Sequence, residues 1–438
     1  MFAGPVSAAI DNDGGILAMV EFSDGADLDP GPGESLAVGK GIAITKFSEA
    51  GTVEWVLPIR RSSESLGVAI SSLALLQDGF VIVGTLFSTT AVFEGTAGAV
   101  TRSAGPPLCF IARYDSQRRV SVQTLGGSSP DSSCYAYTVL PFASGFAVAG
   151  SIQGEVASSS GQSFNAGAES DAYLALMRMD GTFSSVQLFP STGKGVQSSG
   201  ASGKILLPRV EGGAWLIGTH WTKIDLDPGP GVFVRDVAES QQIFGVAVDN
   251  SANFVEGWSL EGSGLDLNGA TTTSSGHIVL SGGVGAGKDG RWIDLDPSAS
   301  RLVRKDVTSF LMRLSGAEFV LGKAIPSNVD IRPIAGPGGQ VIATGTFGDI
   351  VDFGEIGGGV HVAADGRLFV GYLDEEMNLS KLTFFGSAAS GLSSIWSSTR
   401  GFALLGYLID GLPTDLHPGS AKEIYSFTNA TFVSRYSF

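Results

Sequence analysis

The chain has 438 residues, with 27 basic against 43 acidic side chains and a formal net charge of −16. That balance argues against nucleic acid or anionic lipid as partners, since both recruit clustered Lys and Arg. Hydrophobic residues make up 43% and charged residues only 16%, which excludes a disordered chain, and no apolar run reaches the ~18 residues of a membrane helix.

From the N-terminus, MFAGPVSAAIDNDGG lacks the basic and apolar regions of a signal peptide. Residues 6–11 read as a short strand, DNDGG (11–15) as a turn, and ILAMVEF (16–22) as a strand buried on both faces. A loop with DLDPGPG (27–33) follows, where Pro and Gly disfavour a central strand. GIAITKFS (41–48) and TVEWVLPI (52–59) alternate apolar and polar residues, as half-buried strands do.

The second of these strands opens a phrase that returns along the chain. It reads GILAMVEF at Gly15, GFVIVG at Gly79, GFAVAG at Gly145, GAWLIG at Gly213, GHIVLSG at Gly276, GQVIATG at Gly339 and GFALLG at Gly401. A fixed long period marks a repeat architecture, and seven copies of about 63 residues fill the chain. The third strand recurs as CFIARYD (109–115), AYLALMRMD (172–180), IFGVAVDN (243–250), SFLMRLSG (309–316), LFVGYLDE (368–375) and TFVSRYSF (431–438). No stretch keeps a helical period. Four short strands per repeat predict an all-β, seven-bladed β-propeller of four-stranded antiparallel sheets in one domain. The expected blades are 5–65, 66–132, 133–198, 199–264, 265–328, 329–390 and 391–438, the last closed by residues 1–4 or by another chain.

The Gly-apolar run, the DxDPGPG loop and the strand before a Trp- or Phe-bearing strand resemble the bacterial seven-bladed β-propeller repeat proteins, which are often secreted. Repeats one and four match best. Repeats two and three depart, with TAVFEGTAG (90–98) and EVASSSGQS (155–163) in place of the Asp-Pro loop. The resemblance implies an extracellular or cell-surface setting, with the leader not part of this chain, and it carries no catalytic residues.

The Asp-Pro loop holds Asp27 and Asp29, Asp225 and Asp227, and Asp294 and Asp296, with weaker versions at Asp352 and at Asp415-His417-Pro418. Two carboxylates at i, i+2 with loop carbonyls suit Ca²⁺. The same residues suit an Asp-capped turn, and repetition in successive blades favours the turn. No cofactor is expected, with Ca²⁺ the one candidate. Asp11-Asn12-Asp13-Gly14 resembles the start of a calcium loop but lacks the closing glutamate and reads as a turn. Gly282, Gly287 and Lys288 approach a phosphate loop, but Asp289 stands where Ser or Thr is needed. His220, His277, His361 and His417 share no metal or triad spacing, and Trp221 beside His220 fits a blade edge or a sugar site. Asn378 and Asn429 begin glycosylation sequons. Cys109 and Cys134, near the starts of strands in consecutive repeats, form a disulfide or remain two buried thiols.

These features predict a secreted, non-enzymatic structural or interaction module. Its partners would be other copies of itself, or cell-surface proteins or polysaccharides. The alternative is a propeller that binds or cleaves polysaccharide at its channel mouth. The expected interaction edge is the final strand, with Phe432, Ser434, Tyr436 and Phe438 on one face and Val433 on the other. An exposed edge of that kind accepts an added strand.

Overall fold

The computed structural model describes all residues except 1–4, 12, 23, 28–38, 63–66, 128, 143, 193–199, 237–239, 299, 337–339, 349, 363–367, 386–389, 399–400, 409–413, 416–423, 426–429 and 438. For Pro5, Val6, Ala168, Phe385 and 390–437 it describes the backbone alone. The protein is all-β and its sheets are antiparallel. It divides into two compact units, Met1–Leu206 and Leu207–Phe438.

The first unit contains three meanders of four strands. The first runs Pro5–Ile10, Ile16–Phe22, Gly41–Phe47 and Val53–Arg61, each strand paired with the next. The second runs Val68–Leu76, Gly79–Leu86, Leu108–Asp115 and Val120–Gly126, and the third Ser133–Phe142, Gly145–Ser158, Ser163–Arg178 and Phe183–Phe189. Strand Ala201–Pro208 carries the chain through the division.

In the second unit, Ala214–His220, Gln242–Val248 and Phe254–Leu260 pair in order. A fifth sheet follows, Leu265–Thr272, Ile278–Val284, Ser309–Ser315 and Glu318–Ile325. The sixth is Val329–Ala335, Val341–Phe347, Leu368–Leu373 and Leu379–Phe385. The seventh has three strands among the described residues, Ser390–Ser398, Gly401–Leu408 and Ala430–Ser437. Every Gly-apolar run is thus the second strand of its own sheet. In sheets two, four, five and six these strands are buried almost throughout, and in sheet two Phe80 and Ile82 join one core cluster while Val81 and Val83 join another.

The second glycine of the phrase has a packing cause. Across the sheet from it lies an aromatic residue of the third strand: Gly84 pairs with Phe110, Gly150 with Tyr173, Gly218 with Phe244, Gly282 with Phe310, Gly345 with Phe369 and Gly406 with Phe432. A Cβ on Gly150 would collide with the Tyr135 carbonyl and the Tyr173 ring, and one on Gly345 with the Asp330 carbonyl and the Phe369 ring. The first sheet solves the same problem in reverse, with Val20 opposite Ala43. Side-chain volume is traded across the strand pair, as close packing demands.

Candidate functional site

The Asp-Pro loops sit between the second and third strands of their sheets and are flanked by short hairpins. Lys223–Asp225 pairs with Val234–Arg235, and Trp292–Asp294 with Val303–Lys305. Around each first aspartate the chain alternates: Ile224 and Leu226, Ile293 and Leu295, and Val351 and Phe353 are fully buried. The aspartate between them turns back on its own loop. Asp225 Oδ1 accepts from the amides of Asp227 (3.1 Å) and Phe233 (2.8 Å). Asp294 Oδ1 accepts from those of Asp296 (3.2 Å) and Leu302 (2.6 Å). The second aspartate repeats the device, Asp227 accepting from Gly229 and Asp296 from Ser298, both at 2.8 Å. Asp352 accepts from the Gly354 amide at 2.9 Å.

A cation does stand at the fifth-sheet loop, and it is a side chain. Arg301 Nε donates to Asp294 Oδ2 at 2.9 Å and Arg301 Nη2 to Glu261 Oε2 at 3.1 Å. The Asp294 hydrogen bond, reinforced by Glu261, holds the guanidinium above its ordinary pKa. Among the described residues no three His, Cys, Asp or Glu side chains gather in a group able to hold a metal. Asp27 lies within the described residues and Asp29 outside them.

What the sequence did not reveal is that these hairpins clamp neighbouring sheets together. In the first unit, Thr90–Phe93 pairs with the fourth strand of the preceding sheet, Ile59 opposite Phe93 and Arg61 opposite Ala91, and Arg60 Nε meets Glu94 Oε1 at 2.6 Å. The strand Gly145–Ser158 overruns its sheet so that Ala157 and Ser158 pair with Gly126 and Leu125. In the second unit the Ser263 amide donates to the Trp292 carbonyl and the Asp294 amide to the Glu261 carbonyl. Further along, the Asp352 amide donates to Ser327 Oγ at 2.7 Å and the Ala324 amide to Glu355 Oε2 at 3.1 Å. The segments 90–98 and 155–163, which lack the Asp-Pro signature, are therefore the same structural element. Its backbone pairing needs no particular side chain.

Other candidates fall into structural roles. Asp11 Oδ1 accepts from the amides of Asp13 and Gly15, and its other oxygen meets Lys46 Nζ. His220 is fully buried, its Nδ1 hydrogen bonded to the Thr222 carbonyl at 2.9 Å and its Nε2 3.2 Å from Ser259 Oγ. Burial pushes its pKa down to about 4. Trp221 is half exposed. His361 is bonded to the Gly358 carbonyl and lies against Phe353 and Phe384. Gly282 is mid-strand and the next element after Lys288 is the strand Trp292–Asp294. Asn378 donates its backbone amide and its Nδ2 to the Asp374 carboxylate, which caps the turn between them. His417 and Asn429 lie outside the described residues. Cys109 and Cys134 form a fully buried disulfide with Cα atoms 5.1 Å apart, tying the third strand of the second sheet to the first strand of the third.

The last strand, Ala430–Ser437, pairs along its length with Gly401–Leu408, Val433 opposite Leu405 and Phe432 opposite Gly406. Among the described residues it is the edge of its sheet; Phe438 lies outside them. Compared with known protein families and with curated proteins, the chain matches none.

Proposed function

We propose that the chain is a secreted, non-enzymatic interaction module. In this reading its seven sheets are the blades of one propeller, of the kind seen in bacterial propeller repeat proteins. Its seventh blade takes its fourth strand from a second copy of the chain. One observation carries the proposal. The third strands of the other six sheets each hold a fourth strand on their far side. Ala430–Ser437 has only Gly401–Leu408 among the described residues. An unpaired row of backbone donors and acceptors is a template for an added strand.

A buried disulfide supports an oxidising compartment. The test is the mass of the protein in solution, measured over a range of concentrations for the native chain and for Val433→Pro and Ser434→Pro. Neighbouring strand amides point to opposite edges, so one of these prolines removes an outward donor and the other an inward one. Association that is lost in one variant with its circular dichroism intact supports the proposal. A native chain that stays monomeric throughout refutes it.

A further inference from the structure

We propose that a cavity between the fifth and sixth sheets binds a small hydroxylated carboxylate of the sugar-acid class, held by Arg313. The cavity measures about 590 Å³. Its floor is apolar, made by Val279, Val341, Leu373 and Met377, all buried. Its rim is polar: Thr273, Ser274, Ser275 and His277 from the turn between the first two strands of the fifth sheet, Gln340, and Asp374 and Glu375 from the sixth. Arg313 projects into it from the third strand of the fifth sheet.

Three sheets carry a cation at one equivalent position. The cross-strand register places Lys46 opposite Leu17, Arg113 opposite Val81 and Arg313 opposite Val279, the same site in three sheets. In the first sheet the cation is neutralised by Asp11, and in the second Arg113 Nη2 reaches Asp78 Oδ2 at 2.5 Å. Asp11 begins a turn in which its own amide donates to the carbonyl of Gly15, and the amide of Gly14 donates back to its carbonyl. Thr273 begins the same turn in the fifth sheet, bonded in the same way to His277 and Gly276. A threonine therefore stands where the carboxylate would be. Among the described residues no acidic group lies within ion-pair distance of Arg313, and its Nε is buried without a partner. The corresponding cavity between the first two sheets, about 560 Å³, contains Lys46 and Arg118 already engaged, the first by Asp11 and the second over the Trp55 ring at 5.3 Å.

A guanidinium left unpaired at the wall of a cavity is a ready fork for a carboxylate. Asp374 and Glu375 would repel a bare anion, yet they accept hydrogen bonds from hydroxyl groups, as do the rim hydroxyls and Gln340. The apolar floor suits the C–H face of a sugar ring. Together these select a hydroxylated acid over a simple anion.

The experiment is calorimetric titration of the native chain with galacturonate, and with galactose as the uncharged counterpart. The expected result is binding of galacturonate at least tenfold tighter than galactose. Arg313→Gln should reduce it tenfold or more. Thr273→Asp tests the same point without removing the cation. It supplies the carboxylate that the first sheet has, so the fold is kept, as thermal unfolding checks, while galacturonate affinity falls at least tenfold. Equal binding of the two sugars overturns the proposal, as does galacturonate binding unchanged in both variants, or no galacturonate binding by the native chain.

Discussion

Removing the Asp294 carboxylate separates the capping role from a metal role. Asp294 is 4% exposed, and its Oδ1 takes two amides, from Asp296 at 3.2 Å and Leu302 at 2.6 Å. Asp294→Ala leaves both amides without their acceptor. Hydrogen bonds to a charged group contribute about 1.5–3 kcal/mol each, and orphaning a buried amide costs about 1–3 kcal/mol. The Asp296 bond is long and both amides are only partly buried, so the sum expected is about 2–3 kcal/mol. Asp294→Asn keeps an oxygen for the amides and loses the partner of Arg301, so its cost should be under half that of alanine. The assay is urea unfolding of the three proteins, with hydrogen exchange at the Leu302 amide as the local readout. That amide should lose protection in the alanine variant and keep it in the asparagine variant. Adding or chelating calcium should leave the native midpoint where it is. A calcium-dependent rise in the native midpoint that Asp294→Ala abolishes would refute the capping argument, because a ligand bound only to the folded state stabilises by mass action. Alanine and asparagine variants of equal stability would refute it too.

Gly150→Ala should destabilise the protein by about 2–3 kcal/mol, the upper range for overpacking, because its Cβ meets the Tyr135 carbonyl and the Tyr173 ring; thermal unfolding reads it, and an unchanged midpoint would contradict the packing argument. His220 is buried neutral, with its pKa depressed to about 4 from the ordinary 6.5. Its contribution is therefore present above pH 6.5 and lost as pH falls toward 4, by up to about 3 kcal/mol, and His220→Gln should flatten unfolding free energy over that window. Asp171 has the opposite sign. Burial lifts its pKa to about 6 against the opposing hydrogen bonds of the Ser191 amide (2.7 Å) and hydroxyl (3.0 Å), and the charge of Glu169 adds to the rise. Stability linked to it is full below about pH 4 and declines as pH rises through 6, by at most about 3 kcal/mol and less where water screens the group. Asp171→Asn should remove that decline, and a pH profile identical to the native one would count against it.

The sheets were legible because each buried strand writes its burial into the chain. Ala214–His220 and Ile278–Val284 are apolar or small along nearly their whole length since both faces are covered, and the flanking turns need Gly, Asp or Asn. The clamp hairpins were legible only where aspartate caps them. Thr90–Phe93 and Ala157–Ser158 do the same job through main-chain pairing, and main-chain pairing leaves little trace in residue identity. The cavity at Arg313 was hidden for a different reason. Lys46, Arg113 and Arg313 look alike in three copies of one strand, and repetition invites one interpretation for all three. What separates Lys46 from Arg313 is a residue some 35–40 positions upstream, aspartate at 11 and threonine at 273, while Arg113 takes Asp78 from a different position of its own turn. Only the register of the first turn against the third strand makes that residue the partner of the cation. In a chain built by repeating one unit, the shared residues explain the fold. A binding site is better sought where one copy lacks a partner that its equivalents keep, since an unneutralised charge in a cavity favours a ligand that supplies the opposite charge.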